Sequence, residues 1–184
     1  MFSCSLLLVT LFFSLLFVNI DSRYQMESLL PPATRQTRRR KTCVILDMED
    51  YTIPAGLSLN LIYQKIQNAL FDSGYRRTEV WAWVNTWSDE MWDEFMGTGF
   101  RVFPQTEVVQ KKRLEMIMVD LLFWLSESSN VLILSKNHEN IEQNHLFSRF
   151  CKVLEDRDCY LASAKPEAFI NESTIVERSY YLFS

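Results

Sequence analysis

Three acids, Asp47, Glu49 and Asp50, follow directly on the apolar run Cys43-Val-Ile-Leu46. A short run rich in β-branched residues reads as a buried strand, so these carboxylates stand at a strand's C-terminal end. In open α/β sheets ligands bind there. Two further polar features share the expected edge or lie on a helix leading to it. Asp120 interrupts the apolar series Leu114, Ile117, Met118, Leu121, Leu122 and Leu125, and a polar knot, Lys136-Asn-His-Glu-Asn140, follows the apolar run Asn130 to Ser135. Carboxylates gathered in one cleft repel unless protons or cations neutralise them. A hard divalent ion with oxygen ligands is the natural counter-charge, and it can activate water for attack on a phosphodiester.

The elements that must position these groups are legible in order. After the first strand and a turn with Pro54 and Gly56, Ser58 caps a helix that carries Leu59, Ile62, Ile66 and Leu70 and stops at Gly74. Glu79 to Asn85 reads as a second strand, Ser88 to Met96 as a short acidic helix, and Phe100 to Phe103 as a third strand. The apolar helix around Asp120 leads to the fourth strand, Asn130 to Ser135. One helix then runs to about Leu154, and a fifth strand covers Asp158 to Ala162, closed by Lys165-Pro166. Alternating strands and helices imply a parallel sheet covered on both faces. Glu167 to Ser184 shows no clear pattern.

The chain of 184 residues is long enough for one domain plus extensions, and its 48% hydrophobic content describes a globular protein. From Thr42 onward 13 Lys and Arg face 21 Asp and Glu, a net of −8, so this is no general phosphate-binding surface. Arg35, Arg38, Arg39, Arg40 and Lys41 concentrate the positive charge ahead of it. Within the domain, Lys111, Lys112 and Arg113 are the candidate contacts for a phosphate backbone, against the plainer reading of a solvated helix start. Cys4, Cys43, Cys151 and Cys159 have no metal-ligand spacing and read as buried reduced thiols, with a Cys151–Cys159 disulfide open only to an oxidising compartment.

Residues 1–25 form a hydrophobic leader whose apolar run, Phe2 to Ile20, suits a secretory signal, a membrane anchor or an atypical start. Residues 26–41 form a basic linker, and the globular domain is expected over 42–166. Location follows the leader: membrane-anchored or secretory if it is used, otherwise cytoplasmic or nuclear.

Val44-Ile-Leu-Asp-Met-Glu-Asp50 with Ile53-Pro54, then Ile117-Met-Val-Asp-Leu-Leu-Phe-Trp124, then Val131-Leu-Ile-Leu-Ser135, resemble the three motif blocks of the NYN domain. The likeness is to the limkain type, also called meiosis regulator and mRNA stability factor, and covers roughly Lys41 to Pro166. It implies a PIN-like Rossmannoid α/β fold, with a sheet of about five parallel strands. It also implies a role in RNA metabolism and regulation of gene expression, as a metal-dependent endoribonuclease acting on single-stranded RNA, and, as for some members, an association with peroxisomes. On this likeness Asp47, Asp120 and Glu139 are the catalytic positions. Asp47, Glu49, Asp50, Asp120, Asn137 and Glu139 form the set around Mg²⁺ or Mn²⁺.

The chain departs from the pattern in several places. Asp50 replaces an Asn, Leu114 stands where an acid is usual, with only Glu115 beside it, and Ser135-Lys-Asn-His-Glu-Asn140 replaces Ser-Gly-Asp-x-Asp-Phe. Two expectations follow from these departures. One is an endoribonuclease with a partly degenerate acidic site; the other is an inactive NYN module that binds RNA or a protein partner. Two other α/β classes fit poorly. The haloacid-dehalogenase pattern fails at Glu49 and Tyr51, and a phospho-receiver domain lacks an acceptor Asp after Phe100-Arg-Val-Phe-Pro104.

Overall fold

A computed structural model describes residues 30, 34, 39–48, 51–84, 89–104, 112–125 and 128–170. Five strands, β1 (Lys41–Asp47), β2 (Arg77–Val84), β3 (Arg101–Pro104), β4 (Ser129–Leu134) and β5 (Tyr160–Ala164), form one sheet in the order β3-β2-β1-β4-β5. Every pairing is parallel, so the α/β class and the five-strand parallel sheet expected from the sequence are present. The helices are α1 (Leu59–Asp72), α2 (Asp89–Met96), α3 (Arg113–Trp124), α4 (His138–Gln143), α5 (His145–Glu155) and α6 (Glu167–Ile170).

Strand alternation divides the core in two. Val44 and Leu46 of β1 pack with Val80, Ala82, Leu132 and Leu134 under α1, α2 and α6. Cys43 and Ile45 face the other way and pack with Trp81, Trp83, Val131 and Ile133 under α3, α4 and α5. β1 is buried on both sides, as a central strand of a covered sheet must be. The chain builds outward from β1 to β3, then returns beneath α3 to start again at β4 on the other side of β1. The order therefore reverses between β1 and β4, which creates a crevice at their C-terminal ends.

Local chemistry sets the helix ends. The Ser58 hydroxyl accepts from Leu61 N at 3.2 Å and starts α1, and Gly74, at φ 95°, ends it. Gly99 is required for a different reason: a Cβ there would lie 2.3 Å from Tyr63 Cζ, whose ring packs edge-on to Phe100.

Strand ends shift by one or two residues from the sequence reading, and two differences have a clear local cause. The single helix expected to run to about Leu154 is broken at Asn144, which is extended and whose carboxamide oxygen accepts from Leu146 N at 2.9 Å, so α5 starts anew. The fifth strand begins at Tyr160 instead of Asp158. Asp158 takes a left-handed conformation, φ 57°, and Cys159 N donates back to Leu154 O to end α5. At the other end of the domain, Leu30 lies in the core and Phe169 and Ile170 of α6 are buried against α1. Cys43, Cys151 and Cys159 are free thiols, and burial pushes the Cys43 thiol well above its ordinary pKa.

Candidate functional site

Asp47 is the last residue of β1 and lies at the switch-point crevice, beside Trp83 of β2. Only 8% of it is exposed. Its two carboxylate oxygens have different partners. Oδ1 lies 2.6 Å from Arg113 Nη2, and Oδ2 accepts from the Ser135 hydroxyl at 3.2 Å. The same Arg113 Nη2 donates to the Trp83 carbonyl at 2.7 Å, an oxygen that also accepts from Met48 N at 2.9 Å. Ser135 Oγ in turn accepts from Asn137 N at 3.2 Å. One guanidinium and one hydroxyl thus tie together the ends of β1, β2 and β4.

Arg113 reaches this place because α3 descends from the C-terminal edge of the sheet. Arg113 is its first residue, and it lies on one face with Ile117 and Leu121 at intervals of four. Side chains on a helix lean toward its N-terminus, which here is toward Asp47. Arg113 is 5% exposed, so it is not the exposed phosphate contact read from the Lys111-Lys-Arg113 run. Its burial was legible in that interval of four with Ile117 and Leu121, but a run of three cations masks it. Lys112 is exposed, and Lys111 lies outside the described residues.

Among the other described candidates, Asn137 joins this network through its backbone N–H, while Asp120 and Glu139 are engaged elsewhere. Asp120 is seven residues along α3 from Arg113, about 10 Å down the helix and away from the crevice. Burial raises its pKa, and the nearby Arg101 guanidinium opposes that shift. Leu114 packs against the apolar cluster under α3, and Glu115, the nearest possible substitute for an acid there, is exposed. Glu139 extends to the rim, where Oε1 lies 3.5 Å from Lys165 Nζ. Asn137 is exposed at the start of α4. Lys136 holds its ammonium 5.8 Å from the centre of the Tyr51 ring, whose hydroxyl is pushed up to about 12 by burial and by Glu167. Glu49 and Asp50 lie outside the described residues.

The described groups around Asp47 do not by themselves suit a divalent ion. A metal ligand needs a lone pair facing the ion and a local field that attracts a cation. At Asp47 the nearest charge is a guanidinium at 2.6 Å, which already supplies the neutralisation an ion would otherwise provide. Among the described residues no three His, Cys, Asp or Glu side chains are placed to share an ion.

No protein-family profile, curated protein or solved structure matches the chain.

Proposed function

We propose that the chain is an NYN-type protein of RNA metabolism, one that regulates gene expression by binding single-stranded RNA, in which metal-dependent cleavage has been lost. The motif blocks around Asp47, Asp120 and Ser135 support the family reading, together with a parallel sheet whose switch-point crevice receives Asp47 and Ser135. The observation that carries the loss of cleavage is the Arg113–Asp47 ion pair at 2.6 Å, braced by Ser135. The first carboxylate of the site is committed to an internal cation, and Leu114 and Asn137 add no charge to attract another.

The reading is tested with the purified full chain and a labelled single-stranded RNA, in Mg²⁺ and separately in Mn²⁺. The RNA is expected to be retained and to stay intact, and Asp47→Asn, which also weakens the fold, is expected to leave it equally uncut. Cleavage that needs either ion and disappears in Asp47→Asn would establish the endoribonuclease instead. Failure to retain RNA at all would remove the RNA reading.

A further inference from the structure

The edge of the sheet opposite Asp47 collects cations that the candidate site does not use. Lys41 opens β1 and pairs in register with Arg77, which opens β2. Arg77 Nη1 donates to the Arg39 carbonyl at 3.2 Å. Arg76 donates to the Phe71 carbonyl at the end of α1, and its guanidinium lies 3.6 Å from the centre of the Phe71 ring. Arg40 is engaged by Asp158 at 2.6 Å, whereas Arg39, Lys41, Arg76 and Arg77 form no salt bridge among the described residues. The same edge carries Asp72, Glu155 and Asp156 at the ends of α1 and α5, so these four cations leave it with a small positive excess on a domain that is otherwise acidic.

Aromatic side chains flank this band. Phe71, 54% exposed, lies in the last turn of α1 on one face, and Phe123, 86% exposed, in the last turn of α3 on the other, with the Trp124 ring 5.9 Å from Lys41 Nζ. Cations beside exposed aromatic rings suit the headgroup layer of a bilayer, where rings sit at the boundary and cations meet lipid phosphates.

The covalent order of the chain favours a membrane over other anionic partners. The apolar run Phe2 to Ile20 lies upstream of this edge, and Leu30, buried in the core, follows it after only residues 21–29. Nine residues span at most about 30 Å, so a leader held in a bilayer keeps the domain against it. We infer that the edge formed by Arg39, Lys41, Arg76 and Arg77 docks on an anionic lipid surface, with Phe71 and Phe123 at the headgroup level. The Asp47 crevice then faces away from the membrane. This inference does not depend on the RNA reading.

The test is flotation of the full chain with phosphatidylcholine vesicles, alone or with about 30% phosphatidylserine. The chain is expected to bind the serine-lipid vesicles more tightly, because each basic residue near an anionic leaflet is worth about fivefold in partition. Arg76→Gln with Arg77→Gln should lower that lipid-dependent gain by roughly 30-fold, and the two Lys replacements should retain most of it. If the Gln pair fails to fold, Phe123→Ser, which alters an exposed ring, should weaken binding several-fold with the fold intact. Binding indifferent to phosphatidylserine, or unchanged in a folded Gln pair and in Phe123→Ser, would overturn the inference. So would a Gln pair that keeps vesicle binding and loses a short single-stranded RNA, which would assign the edge to nucleic acid.

Discussion

Replacing Arg113 with Met leaves the Asp47 carboxylate buried beside a Trp83 carbonyl that has lost its side-chain donor. Both partners are less than a tenth exposed, so the pair belongs with buried ion pairs, for which removing one member costs about 3–5 kcal/mol. Replacing both members with apolar residues of similar size removes the uncompensated charge. The double variant Asp47→Val/Arg113→Met should therefore lose no more than about 1–2 kcal/mol. In urea unfolding of the full chain, with a slope near 2 kcal/mol/M, Arg113→Met should lower the midpoint by about 2 M and the double variant by less than about 1 M. An Arg113→Met cost below about 1 kcal/mol would place the pair with exposed salt bridges and refute the reasoning. So would a double variant whose cost equals the sum of the single ones.

Other expectations are narrower. Gly99→Ala should cost about 1–3 kcal/mol in the same unfolding assay, because the new methyl meets the Tyr63 ring and must displace it from Phe100; a neutral substitution would mean that the ring relaxes freely. Asp120 has a raised folded-state pKa, so its contribution to stability is fully present below the ordinary carboxylate range and is lost as pH rises through the folded value. Asp120→Asn should flatten that loss and be at least as stable at neutral pH; a variant less stable at pH 7 would contradict it. In thiol labelling of the folded protein, half-buried Cys151 should react before Cys43, whose burial disfavours the thiolate; equal rates would show that the sheet interior opens.

The fold was legible because its signals are local and periodic. The β-branched run ending at Asp47, the Ser58 cap and the four-residue spacing from Leu59 to Leu70 each specify an element without reference to the rest of the chain. The break at Asn144 was hidden because an Asn can continue a helix or cap the next one, and only the surrounding packing selects between them. The site was less legible. Asp47 and Ser135 could be placed together because both end strands on either side of the switch point. The partner of Asp47 came instead from a residue written as part of a solvated charge run. A buried arginine and an exposed one have the same letter, and the four-residue interval from Arg113 to Ile117 and Leu121 distinguishes them only once α3 is known to lie against the sheet. Asp120 shows the converse. Its motif block is present, yet seven residues of helix carry it away from the crevice.

We propose that Arg113 occupies the electrostatic role of a metal at Asp47. Titration of the full chain with Mn²⁺, followed by the loss of the free-ion electron paramagnetic resonance signal, addresses it most directly. The expected result is no stoichiometric binding, with Asp47→Asn indistinguishable from the unaltered protein. One tightly held ion per chain that disappears in Asp47→Asn would contradict it.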